Sequence, residues 1–248
     1  MAAIFLAPLK FANAALAADG STQVSAPVAN LLKDHLAMVW RSSAAAPFIT
    51  LALGGNAIDS VVLWGTNMTA SDTVRVRIGP NASGASPVYD QTFPGSTNVL
   101  AFLNSPVTAS YLRLDFTRAN GGATFTEAAR LVVGDRVESD GIAKDAEVTY
   151  DDQSVRYSGP NWFSADEYSV LQTWKVKVEG LTEDQFFLNG WHDFLMTVGE
   201  ARPFVFLPYY PATYASKLVS FGAMTTPARV SWITQVDRAV EMSFQTIT

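Results

Sequence analysis

Strict alternation of apolar and polar residues marks the first half of the chain. Val74, Val76 and Ile78 alternate with Arg75 and Arg77, and Leu112, Leu114 and Phe116 with Arg113 and Asp115. A period of two places the apolar set on one face of a strand and the charged set on the other. Turn chemistry separates such segments at Gly54-Gly55-Asn56, from Gly79 to Gly84, at Pro94-Gly95-Ser96 and at Asn120-Gly121-Gly122. Several short strands with turn signals at this spacing predict a jelly roll or sandwich over residues 22–135.

The pattern changes in the second half. Trp174, Val176 and Val178 alternate with Lys175 and Lys177, and Val240, Met242 and Phe244 with Glu241, Ser243 and Gln245. Between these strands Thr182-Glu183-Asp184-Gln185 has the form of a capping box, in which the hydroxyl and the amide each satisfy an unpaired backbone N–H. The helix it opens, 182–199, is expected to bury Phe187, Trp191, Phe194, Leu195 and Val198 and to stop at Gly199. Gly190 lies inside it, at a cost of about 1 kcal/mol relative to alanine, so close packing on a neighbouring backbone is expected there. Residues 150–248 thus read as an α+β sandwich with one packed helix, and the whole chain as mainly β. Glu138, Asp140, Asp145, Glu147, Asp151 and Asp152 cluster around Gly141, so 136–149 reads as an acidic linker.

Residues 1–21 read as an arm with no domain of its own. The run from Ile4 to Ala18 has the look of a secretory segment ending at Ala-x-Ala, but no basic residues precede it, and Pro8, Lys10 and Asn13 interrupt it. It is therefore expected to remain as uncleaved structure. Phe5, Leu6 and Phe11 become the candidate subunit interface, because exposed apolar residues near a terminus either aggregate or find a partner. No apolar run reaches the 18–20 or so residues of a membrane-spanning helix.

Charge and composition narrow the chemistry. Of 248 residues only 16% are charged, against 48% hydrophobic, which fits a folded chain whose surface is partly covered by neighbours. The net charge is −6, and all of the excess lies beyond residue 135, since 1–135 hold eight basic and eight acidic groups. Specific nucleic-acid binding is not expected of such a chain. There is no cysteine, and the only histidines are His35 and His192, so no thiol chemistry and no three-histidine metal site can form. Both histidines read as ordinary packing or solvated residues. Phosphate-binding glycine loops and the nucleophile elbow are absent from the sequence, and no catalytic residue, cofactor or metal is expected. Asn67-Met68-Thr69 and Asn81-Ala82-Ser83 match the N-glycosylation pattern, which has no meaning without a secretory route. Trp40, beside Arg41, and Trp64 lie in apolar contexts, and both tryptophans read as core. A sugar-binding surface would fall instead on loops and strand ends, and Asn81, Tyr89 and Asn120 are the candidates.

Several blocks together carry a family resemblance: Asn30-Leu31-Leu32, Trp40-Arg41-Ser42, Ile49 to Gly54, Ile58 to Asn67, Val74 to Arg77, Tyr111 to Leu114 and Arg130 to Gly134. They resemble the galactose-binding, discoidin-like jelly roll found in tail proteins of bacterial viruses. The stretch from Leu171 through the helix to Gly199-Glu200-Ala201-Arg202-Pro203-Phe204 resembles the β-sandwich of phage tail-tip proteins. In distal tail proteins of long-tailed phages the jelly roll is inserted in the ring domain or appended after it, whereas the order read here places it first. The resemblance implies a virion protein assembled in the host cytoplasm. It would form a symmetric ring, trimer or hexamer, and bind tail tube and tail hub proteins while DNA passes through. The alternative it leaves open is a carbohydrate-binding adhesion module for a host surface polysaccharide.

Overall fold

The computed structural model describes residues 2–119 and 125–247. The chain forms two compact units: Met1–Phe5, Val137–Pro211 and Ser220–Thr248 make one, and Leu6–Arg136 with Ala212–Val219 the other. The second is thus an insertion in the chain of the first. That differs from the order read from sequence, because the strand that opens the discontinuous unit lies in the segment expected to be an arm.

The inserted unit is the jelly roll. A five-stranded antiparallel sheet runs in the order Leu16–Ala18, Phe48–Ala52, Tyr111–Thr117, Thr73–Gly79, Tyr89–Pro94, and a three-stranded one in the order Arg130–Gly134, Ala57–Trp64, Val99–Thr108. Val74, Val76, Ile78, Leu112, Leu114 and Phe116 all turn inward and are buried, as their alternation requires. They meet Ile58, Val61, Leu63, Leu131 and Val133 from the other sheet in one core. The alternating charged residues pair on the outer face, Arg75 with Asp90 and Arg77 with Asp115 across strands, and Arg113 with Asp115 along one strand.

At the end of this unit where the chain enters and leaves, Asp59 is buried at 6% exposure. It accepts hydrogen bonds from the Ser60 hydroxyl at 2.7 Å and the Arg136 N–H at 3.0 Å, with Arg136 Nη1 3.2 Å from its other oxygen. Burial pushes its carboxyl up to about 6, against the pull of Ser60 and Arg136, and Asp135 adds to the rise. A folded-state value above the unfolded one means that the stability this group contributes is full below about pH 4 and is lost as pH rises through about 6. Subtracting the urea-unfolding free energies of Asp59→Asn from those of the native chain should leave a curve that falls between these limits. A flat difference would show that Asp59 titrates normally.

The discontinuous unit is built on a seven-stranded sheet in the order Arg136–Ser139, Ala2–Leu6, Phe204–Tyr210, Ser220–Trp232, Arg238–Thr246, Val170–Leu181, Glu147–Asp152. Two of these strands correct the domain boundaries. Ala2–Leu6 is an interior strand of the sheet, so its backbone groups are satisfied there and the arm does not exist as a free segment. Arg136–Ser139 and Glu147–Asp152 take up both ends of the expected linker, leaving only 140–146 between strands. Acidic residues at the edge strand Glu147–Asp152 serve where an open sheet edge needs blunting.

The expected helix is two helices, Glu183–Phe187 and Trp191–Val198. The capping box at Thr182 and Gln185 forms as read. Gly190 breaks the helix, because it adopts φ +86° as the residue before the second helix; what a Cβ there would meet is the Val137 side chain at 3.2 Å, not a neighbouring backbone. The break rephases the buried face. Phe186, Trp191, Phe194 and Val198 are buried, whereas Phe187 is largely exposed and Leu195 only half-buried. Gly190→Ala is expected to cost about 1–2 kcal/mol from the left-handed backbone alone. A chemical-denaturation midpoint unchanged by that substitution would contradict the assignment.

Candidate functional site

Trp40–Ser42 and Thr126–Ala128 are three-residue strands that pair antiparallel, with Trp40 opposite Ala128, Arg41 opposite Glu127 and Ser42 opposite Thr126. The period of two then sorts them. Trp40, Ala128, Ser42 and Thr126 are buried, and Arg41 and Glu127 face outward as direct cross-strand neighbours. Trp40 packs its ring 5.5 Å from Phe116 and donates its indole N–H to the Thr22 hydroxyl at 3.1 Å. The Ser42 hydroxyl donates to Asp19 at 2.8 Å. These inward contacts fix the backbone that carries the outward pair.

Arg41 donates from Nε to Glu127 Oε2 at 2.8 Å, and its Nη2 bonds the same oxygen. The guanidinium lies over the half-buried Phe125 ring, 4.2 Å from its centroid. Asn67 ties these pieces together from the turn after the strand Ala57–Trp64. Its amide donates to the Phe125 carbonyl at 3.1 Å, and its Oδ1 accepts from the Glu127 N–H at 3.0 Å and from Arg118 Nη1 at 3.2 Å. Arg118 also reaches Asp72 at 3.7 Å. Burial would raise the Asp72 carboxyl, but the N–H groups of Thr69 and Ala119, the Thr69 hydroxyl and Arg118 outweigh it and hold the carboxyl below its ordinary value. The result is a fixed constellation of two arginines, two carboxylates, an amide and an aromatic ring. It sits at the end of the jelly roll opposite Leu6 and Arg136, where Thr73 faces Thr117 and the sheets hand over to loops.

The residues singled out from sequence fall elsewhere. Asn81 is exposed in the loop after Gly79, at the opposite end, and donates its amide to the Ala85 carbonyl at 3.1 Å, a bond that shapes its own turn. Tyr89 opens the next strand, packs its ring on the core and places its hydroxyl 3.1 Å from Gln91. The two flank one loop. Asn120 lies outside the described residues. The interface candidates are corrected outright. Phe5 and Leu6 are fully buried, Phe5 against Trp191, Phe194 and Phe206, and Leu6 beside Gly134, while Phe11 is half-buried on the jelly-roll core. With Ala3, Ile4, Phe5 and Leu6 all buried, both faces of this strand are covered and no apolar face is left for a neighbour.

His35 and His192 are exposed, His192 beside Asp193 at 3.2 Å. Among the described residues no group of three or more histidines and carboxylates is placed to share a metal ion, and no helix is long and apolar enough to cross a membrane. What the sequence reading missed is the Arg41–Glu127 pair. Its signal was there in Trp-Arg-Ser and Thr-Glu-Ala, two short segments with outward charges of opposite sign, but nothing in one sequence says that segments 86 residues apart pair.

No family model and no curated protein matches the chain. Solved structures similar to it include the family 32 carbohydrate-binding module of Clostridium perfringens NanJ in complex with galactose, at 16% identity and a TM-score of 0.39 over 49% of this chain and 94% of that one. Another is chitosan-binding module 1 of a Paenibacillus chitosanase/glucanase, at 16% identity and 0.38 over 52% and 95%. A third is the family 32 module of AlyQ in complex with 4,5-unsaturated mannuronic acid, at 23% and 0.37 over 48% and 92%.

Proposed function

We propose that the jelly-roll unit is a non-catalytic carbohydrate-binding module, and that the Arg41, Glu127, Phe125 and Asn67 end is its binding surface. The observation that carries this reading is the Arg41–Glu127 pair itself, held outward on buried strands with a guanidinium fixed on an aromatic ring. Sugars are bound by hydrogen bonds from planar charged groups to hydroxyls, beside apolar surface that takes the C–H faces. Preorganisation by Asn67 and Trp40 keeps the ordering cost low on binding. The test is a titration of the full chain against capsular and cell-wall polysaccharides and their oligosaccharides. Silence across neutral and acidic glycans alike would sink the proposal.

A second reading, a subunit of a phage tail tip within the virion, is favoured by a separate observation. The hairpin of Val155–Gly159 and Trp162–Asp166 forms a two-stranded sheet of its own, with Tyr157, Trp162 and Phe163 exposed. A lone two-stranded ribbon is marginal in water and gains from being covered. In that reading the jelly roll is an insertion in the assembling unit, and the hairpin contacts a neighbouring copy or a tail protein. A chain that stays monomeric at micromolar concentration and ignores tail tube and hub proteins removes its support. The two readings are compatible in one protein.

A further inference from the structure

We infer that the Arg41–Glu127 surface selects neutral glycans through a pair of adjacent hydroxyls and discriminates against acidic sugars; this rests on the carbohydrate-binding reading above. Arg41 spends Nε and Nη2 on a single oxygen of Glu127, Oε2. Arg41 Nη1 and Glu127 Oε1 therefore have no partner among the described residues. The surface thus offers the unspent N–H groups of Arg41, two on Nη1 and one on Nη2, beside one free carboxylate oxygen, on two side chains already locked to each other.

That combination matches the chemistry of a vicinal diol. One hydroxyl oxygen accepts from the guanidinium while its neighbour donates its proton to the carboxylate, and both bonds are charge-assisted. A carboxylate can accept from the guanidinium but has no proton to give Glu127 Oε1, so on the same pair it leaves that oxygen without a donor and brings a second negative charge beside it. The local charge argues the same way. Arg41 is balanced by Glu127 and Arg118 by Asp72, so the constellation holds two positive and two negative groups and no surplus cation for an anionic sugar. Asp72 keeps its charge to low pH, because the hydrogen bonds it accepts outweigh the opposing effect of burial. Asn67 supplies no substitute cation, since its amide is neutral, with Oδ1 held by Glu127 and Arg118 and one N–H given to the Phe125 carbonyl.

The experiment is calorimetric titration of the full chain with a panel of neutral methyl hexosides (glucose, galactose and mannose) and the matched hexuronates at neutral pH. At least one neutral hexoside is expected to bind about tenfold or more tightly than its hexuronate, since like-charge juxtaposition is costly. Glu127→Gln keeps the shape and a hydrogen-bonding group but removes the negative charge, and is expected to collapse that ratio toward one by strengthening hexuronate binding. Thermal unfolding of the variant confirms that it remains folded. Equal or tighter binding of the hexuronates to the native chain would overturn the selectivity while leaving the carbohydrate reading intact. A ratio unchanged in a folded Glu127→Gln chain would do the same. Binding of none of these sugars would overturn the selectivity, and silence across the polysaccharides as well would overturn the carbohydrate reading with it.

Discussion

Truncating Phe5 to alanine is expected to destabilise the protein by about 3–5 kcal/mol, the range for removing a buried phenylalanine from a packed core. The ring is fully buried. Its centroid lies 4.9 Å from that of Trp191, 5.0 Å from Phe206 and 5.9 Å from Phe194, so the cavity would open at the meeting point of three other rings. Those neighbours come from the second helix and the strand Phe204–Tyr210, elements some two hundred residues further on, and they cannot collapse into the gap without leaving their own backbones. The measurement is denaturant unfolding of Phe5→Ala beside Phe11→Ala. Phe11 is only half-buried, and its loss is expected to cost less. A free arm would predict the opposite pattern, with both substitutions near neutral for stability and any effect confined to association. A cost below about 1 kcal/mol for Phe5→Ala would contradict the placement of Ala2–Leu6 inside the sheet.

The second large effect concerns binding. Arg41→Ala removes the free donor Nη1 and leaves Glu127 without the partner that orients it. Loss of a charge-assisted hydrogen bond costs about 1.5–3 kcal/mol, so glycan affinity is expected to fall by roughly tenfold to a hundredfold. Stability should barely move, because both members of the pair are partly exposed and such pairs contribute little. Arg41→Lys is not expected to restore binding, since a lysine cannot hold Glu127 with one nitrogen and offer another from the same rigid plane. Full affinity in either folded variant would move the site elsewhere on the jelly roll.

The reach of sequence reading in this protein follows from the range of the interactions concerned. The strands at Val74–Ile78, Leu112–Phe116, Trp174–Val178 and Val240–Phe244 were legible because alternation is local and one face of each is buried. The capping box at Thr182 and Gln185 was legible for the same reason, since both of its bonds span three residues. Gly190 was visible as an anomaly but not as a break, because its effect depends on a left-handed φ that the helical periodicity alone does not reveal. The strand Ala2–Leu6 was missed because an interior strand buried on both faces has no alternation to read, and its apolar run looks the same as an unpartnered one. The site was missed for a related reason. Arg41 and Glu127 are each a single charge on a three-residue strand, and only their pairing makes them a surface. Loop position pointed to Asn81 and Tyr89 instead, where the amide is occupied by its own turn and the tyrosine ring packs on the core.

The most direct test of the carbohydrate-binding account is the structure of the full chain with a bound neutral oligosaccharide, chosen from whichever titrates most tightly. The account predicts a sugar ring beside Phe125, with adjacent hydroxyls on Arg41 Nη1 and Glu127 Oε1, and the Arg41–Glu127 contact preserved. A sugar seated at the Asn81 and Tyr89 end, or on the discontinuous unit, would contradict it.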